Sequence, residues 1–278
     1  AVTIAGRDLE RAKRAASEIG EKADFVKADV IDEAELARLV SGYDILVNAA
    51  GPDYLVQPHA VRAAIEAGAH YCDVAADGPA AEYVLGLGPK AQRNGITAVI
   101  GIGSCPGVSN LMMMHAAEQM DEIDTLEFHC IMPIAEFLGP GLQGASADSQ
   151  GTNRLDASWQ TLVRWFTGPG RVFRDGKRTS VDISSSGARI PLPGGGTVLA
   201  YPVDTLEPLT IPRHLDKVKN VSTLAGFLPP AFDDLILWVT GQVAKGAIDV
   251  QRAVISLAGA VNSEPERWLA NPEGLPMD

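Results

Sequence analysis

The sequence predicts an α/β chain in which a parallel sheet wound with helices is followed by an α+β domain whose sheet is mostly antiparallel. Three observations carry this. Ile45-Leu46-Val47 is a short continuous apolar run, the pattern of a parallel strand covered on both faces. A helix with Val61, Ala64 and Ile65 on one face follows it, stopped by Gly68, and then a second strand from Tyr71 to Ala75, which completes a βαβ unit. Beyond about His115 the pattern changes to short alternating segments, glycine turns and a helical tail.

Taken in order, Val2-Thr3-Ile4 is a strand ending in Gly6-Arg7-Asp8. Asp8 caps a helix whose inward face is Leu9, Ala12, Ala16 and Ile19, ended by Gly20. Phe25 to Ala28 is the next strand, and Asp32 with Glu35 opens a helix with Leu36, Leu39 and Val40 inward. The Ile45 strand then stops in small residues and a Gly-Pro break, Asn48, Ala49, Ala50, Gly51 and Pro52. Ligands of such sheets lie beyond the carboxyl ends of the strands, where a bare turn lets a flat, charged ligand reach the main chain; the alternative is only a tight strand-to-helix turn. A short helix around Glu82 to Leu85 breaks at Gly86 and Gly88, and Thr97 to Ile100 closes the first half. The Gly101–Gly107 loop feeds a helix expected to bury Val108, Leu111, Met112 and Met120.

The opening strand has nothing before it. A dinucleotide-binding fold begins one unit earlier, with a strand and a G-x-G-x-x-G turn that seats a pyrophosphate on a helix N-terminus. No such turn occurs here and no Met opens the chain, so the expectation is a fragment: a truncated Rossmann-type parallel sheet that lacks its first strand and phosphate-binding turn. Gly194-Gly195-Gly196 is no substitute, being a hairpin turn between extended segments. Arg7 ends the strand whose tip faces the adenine ribose, where a carboxylate accepts from a 2′-hydroxyl and a guanidinium donates to a 2′-phosphate; Arg7 therefore favours NADP, against the alternative of a surface arginine near Glu10.

In the second half, Leu126, Phe128 and Cys130 alternate with Glu127 and His129 over Thr125–Met132, the pattern of an antiparallel strand. Residues 136–150 read as a loop and 152–166 as a helix anchored by Leu155, Leu162, Val163 and Phe166. Extended segments follow at 180–183, 188–192 and 198–203, then helices over 232–243 and 250–261. The chain ends at Asp278 without a closing element, which suggests a C-terminal truncation as well. The division expected is residues 1–106 for nucleotide and 107–278 for substrate and oligomerisation.

Composition bounds the partners. A net charge of −12 argues against nucleic acid and anionic membranes, which need clustered Lys and Arg. Three scattered cysteines make neither a disulfide framework nor a zinc pair, which fits a reducing cytoplasm. The apolar tail, Leu235 to Val261, is cut by Lys245, Asp249 and Arg252, so a core helix pair is expected and not a membrane span. No metal site is expected: His70 and Cys72 share a strand face without further ligands. Asp73 stands apart. It lies near the carboxyl end of a strand that should be apolar, and a buried carboxylate is costly unless paired or used, so it is a catalytic candidate or a structural hub for backbone N–H groups.

Val47-Asn48-Ala49-Ala50-Gly51-Pro52, Ala64 to Asp73 and Gly101-Ile102-Gly103-Ser104-Cys105-Pro106-Gly107-Val108-Ser109-Asn110 together resemble the saccharopine dehydrogenase family of NADP-binding reductases. The resemblance covers Ala1 to about His115. It implies NADP as cofactor, adenine contacts at Asp29 and Val30, and hydride transfer to a small-molecule substrate at an amino-acid-derived C–N bond. Asp73 and Cys105, expected at the same edge of the sheet as the Asn48–Pro52 turn, are the catalytic candidates. Relatives that reduce enoyl groups keep a C=C reductase open, and the absent glycine turn keeps a non-catalytic scaffold open. An exposed edge of the parallel sheet gives a route to a homodimer.

Overall fold

A computed structural model describes residues 1–134 and 157–269. The expected loop at 136–150, the first part of the 152–166 helix with Leu155, and the tail beyond 269 lie outside the described residues. The chain forms two compact units: residues 1–75 with 80–102, and residues 76–79 with 103–278.

In the first unit, β1 (Val2–Gly6) and β2 (Ala23–Lys27) pair in parallel, Gly6 opposite Lys27. Helix α1 (Leu9–Ile19) joins them, with Asp8 accepting from the Arg11 N–H at its N-terminus. Only Ala12 and Ala16 are buried on α1; Leu9 and Ile19, expected inward, are exposed, so the covered stripe is narrower than its apolar residues allow. Helix α2 (Glu33–Val40) is capped by Asp32, which accepts from the Glu35 N–H, and buries Leu36 and Val40. A second parallel sheet has the order β3 (Ile45–Asn48), β4 (His70–Asp73), β5 (Ala98–Val99). Its crossover helix α3 (Asp53–Ala67) buries Val61, Ala64 and Ile65 and ends at Gly68, whose φ of 74° is the left-handed cap. Helices α4 (Gly78–Leu85) and α5 (Gly88–Arg93) lead into β5.

The β3 strand is not covered on both faces. Leu46 and Asn48 face the core with their register partners Tyr71 and Asp73, whereas Ile45 and Val47 are 49% and 63% exposed. The helix that packs here lies on one face, and the side chains alternate between the two. Where doubly wound sheets carry helices on both faces, this face of β3 is bare among the described residues.

The second unit begins its helical part with α6 (Val108–Ala117), which turns a different face inward from the one expected. Val108, Leu111, Met112 and Met120 are exposed. Ser109, Met113 and Ala117, four residues apart, are buried instead, because the Ser109 hydroxyl has a partner in the core and Met113 and Ala117 pack with Leu126, Ile211 and Val221. β6 (Thr125–Pro133) alternates as expected but runs parallel to β11 (Asn220–Leu228), not antiparallel to its neighbour. Alternation reports one covered face and is silent on strand direction.

β11 is the spine of this sheet. Along one edge it pairs with β6 over nine residues; along the other it pairs antiparallel with β7 (Pro169–Arg174) near its start and β10 (Thr197–Pro202) at its middle. β8 (Lys177–Asp182) and β9 (Ala188–Pro191) form antiparallel hairpins with β7 and β10, the latter through the Gly194–Gly196 turn. Helices α7 (Ala157–Trp165), α9 (Ala231–Ala244) and α10 (Val250–Ser263) cover the sheet. Phe166, Phe227, Phe232 and Trp268 meet there at ring separations of 4.9–6.0 Å. Helix α8 (Glu207–Thr210) precedes β11, and α11 (Pro265–Leu269) ends the described chain. Among the described residues no helix is long and apolar enough to cross a membrane, and no group of three His, Cys, Asp or Glu can hold a metal ion.

Candidate functional site

Three strand ends of the first unit carry the expected ligand-facing residues. At the tip of β1, Gly6 leads into exposed Arg7, which forms no ion pair with a described residue. The parallel register sets Lys27 beside Gly6, so a second cation stands at this edge. The strand closes with the Ala28 N–H donating to the Gly6 carbonyl at 3.0 Å. Asp29 spends one carboxylate oxygen on the Ile31 N–H, which makes the turn after β2, and half-buried Val30 packs into the core under α2 and α3.

At the end of β3, Asn48 is buried and its side-chain oxygen accepts from the Ala50 N–H at 3.1 Å, which folds the chain back on itself. Ala49 and Ala50 are exposed, Gly51 and Pro52 half-buried, and the Gly51–Pro52 peptide is cis. The main chain of this turn is therefore reachable from outside. Such a bare turn at a strand's carboxyl end is open to a flat ligand.

Asp73 is paired in register with Asn48, so the structure brings these two expected residues together. The carboxylate is 1% exposed and has four donors. One oxygen accepts from the N–H groups of Ala75 (3.1 Å) and Gly101 (2.8 Å), the other from Gln57 Nε2 and Tyr71 Oη, both at 2.8 Å. Asn48 Nδ2 in turn donates to Tyr71 Oη at 3.2 Å. Burial, reinforced by the Asp73 charge, pushes the Tyr71 hydroxyl far above its ordinary pKa, so the phenol stays protonated and donates. Four donors fill the four lone-pair positions of a carboxylate. Gln57 and Tyr71 were invisible to a reading by motif: Gln57 sits on α3 with an apolar helix pattern around it, and only the register of β4 aims Tyr71 along the same face as Asp73.

Cys105 belongs to the second unit. It is half-buried before a cis proline, and its thiol donates to Glu207 Oε1 at 3.4 Å. Ser109 Oγ donates to the same oxygen at 2.6 Å and Thr223 Oγ1 to the other at 3.1 Å. Glu207, fully buried, is a residue the linear sequence does not flag, since its partners lie 16 to 102 positions away.

Residues 1–99 match the family described as saccharopine dehydrogenase NADP binding domain. Among solved structures, saccharopine dehydrogenase (L-Glu forming) from Saccharomyces cerevisiae aligns over 80% of this chain with a TM-score of 0.56 and 19% identity, which establishes a shared fold. The alignment takes in 48% of the yeast protein, so the chain spans about half its length. An NAD binding oxidoreductase from Klebsiella pneumoniae aligns over 81% of this chain and 57% of its own, at 15% identity and a TM-score of 0.38. The parallel strands wound with helices and the open turn after β3 lie within the residues that match this family's model.

Proposed function

We propose that this chain serves an NADP-dependent oxidoreductase that transfers a hydride at a C–N bond of an amino-acid-derived substrate. The observation that carries the reading is the cationic edge of β1 and β2, Arg7 with Lys27, inside a domain whose family binds NADP. A guanidinium gives two parallel donors to a 2′-phosphate, and an ammonium in the next strand adds a point charge. The exposed turn from Asn48 to Pro52 offers main chain to the dinucleotide, and Asp29 and Val30 border the adenine. The cofactor supplies the hydride; the chain's residues orient it and exclude competing chemistry.

The same reading makes Asp73 a positioning residue. With every lone pair engaged it holds the end of β4, Ala75 and Gly101 in fixed relation, and a proton taken up there would displace a donor. We assign the second unit to presenting the substrate and to self-association. The C–N assignment rests on the fold shared with a saccharopine dehydrogenase and on the motifs quoted above. NADPH consumption by the intact protein, followed by absorbance with pairs of 2-oxo acid and amine, tests it. Turnover that requires both partners is expected; turnover with an α,β-unsaturated thioester and none with the pairs would overturn the substrate class.

A further inference from the structure

The face of the second unit's sheet around Glu207 carries two thiols. In parallel pairing, residues opposite each other project to the same side. Thr223 lies opposite Phe128 and Ala225 opposite Cys130, so Cys130 shares a face with Thr223. Thr223 holds Glu207 Oε2 on that face, and Glu207 Oε1 holds the Cys105 thiol. Cys105 and Cys130 both pack against the same apolar cluster, and both are half-buried free thiols, open to a small reagent.

We propose that Cys105 and Cys130 are a thiol–disulfide pair, closed by hydrogen peroxide or a like hydroperoxide, with Glu207 taking the proton from Cys105. In the first step the Cys130 sulfur attacks one peroxide oxygen. An S–O bond forms, the O–O bond breaks, and the departing hydroxide leaves as water with the proton of that thiol. In the second step the Cys105 sulfur attacks the Cys130 sulfenic sulfur, an S–S bond forms and the S–O bond breaks. The leaving hydroxide takes the Cys105 proton through Glu207 and becomes the second water. Two thiols lose two electrons, the peroxide gains them, and a dithiol reductant reverses the change.

The ionisation of the pair suits this order. The interaction between the two thiols is the largest influence on each: it raises Cys105, as do burial and the Glu207 charge, and it lowers Cys130. That direction makes Cys130 the sulfur that attacks first, its proton leaving with the hydroxide, and Cys105 the thiol that keeps its proton until closure. Cys72, the remaining cysteine, is in the first unit and is pushed up by burial and by Asp73, so it is an internal control.

Intact-mass analysis of the folded protein after peroxide treatment and thiol blocking tests the pair. The wild type should lose two hydrogens, keep one alkylatable thiol, that of Cys72, and regain all three on reduction. Cys105→Ser should not lose the hydrogens and should let a sulfenic-acid trap label Cys130. Glu207→Gln, close in shape, should slow closure of the disulfide relative to peroxide attack at Cys130, so that the sulfenic-acid trap labels more of it than in the wild type. Three thiols surviving treatment of the wild type, or a disulfide that includes Cys72, would overturn the proposal; the wild-type measurement decides it even where a variant fails to fold. None of these outcomes depends on the oxidoreductase reading.

Discussion

Replacing Asp73 with Asn changes one atom and breaks a four-donor arrangement, and the cost can be followed donor by donor. The amide oxygen can keep the N–H groups of Ala75 and Gly101. The new NH2 then faces Gln57 Nε2 and Tyr71 Oη, both of which donate in the wild type. Gln57 has a remedy: its Oε1 has no partner among the described residues, so the amide can turn over and accept. Tyr71 has none, because Asn48 Nδ2 already donates to its oxygen and its proton is left without an acceptor. One orphaned buried donor costs about 1–3 kcal/mol, and loss of the charge from the surviving bonds adds about 1 kcal/mol, so Asp73→Asn should destabilise the first unit by roughly 2–4 kcal/mol. Hydrogen exchange at the Gly101 and Ala75 amides reads this directly, alongside urea unfolding, and both should show faster opening in the variant. A change below about 0.5 kcal/mol, with exchange at Gly101 unaltered, would refute the hub and leave Asp73 free for chemistry.

Other outcomes follow from the second unit. Burial pushes the Asp233 carboxyl up from 3.8 to about 7, against the opposing hydrogen bond from the Phe227 N–H. A folded pKa above the unfolded one means that stability falls as pH rises from about 4 to 7 and stays lower beyond, by a few kcal/mol at most. Asp233→Asn keeps the acceptor and removes the charge, so in thermal unfolding it should match wild type near pH 4 and exceed it near pH 8; an equal difference at both pH values would exclude the effect. Gly226 lies in β11 where a Cβ would collide with the Leu199 carbonyl oxygen, a main-chain atom that cannot swing aside. Gly226→Ala should therefore cost about 1–3 kcal/mol in urea unfolding, and a neutral result would mean that β10 and β11 slide apart readily.

Much of the first unit was legible because its signals are local. The caps at Asp8 and Asp32, the stop at Gly68 and the Ile45–Asp73 crossover each lie within a few residues of what they control. The missed elements depend on distant partners. Asn220–Leu228 lacks clear alternation because a central strand is buried on both faces, and nothing nearby marks it as the spine of the sheet. The buried face of α6 is not legible locally because its apolar residues outnumber its buried positions, and Glu207, not hydrophobicity, holds Ser109 inward. The parallel run of β6 along β11 could not be read from β6 itself. At the candidate site, Arg7 and the Asn48 turn are legible as strand ends, whereas Lys27 comes beside the tip of β1 only through the register of β1 with β2.

The most direct test of the central claim is a paired titration of the intact protein with NADPH and NADH, in the wild type and in Arg7→Asp. Arg7 stands exposed at the tip of β1, with no ion pair to a described residue for its loss to disturb. The substitution should weaken NADPH binding by about 1–3 kcal/mol, or roughly 5- to 150-fold, and leave NADH binding unchanged or improved. Equal losses for both cofactors would contradict the account, because they would make Arg7 a structural residue and leave the 2′-phosphate without its recognition group.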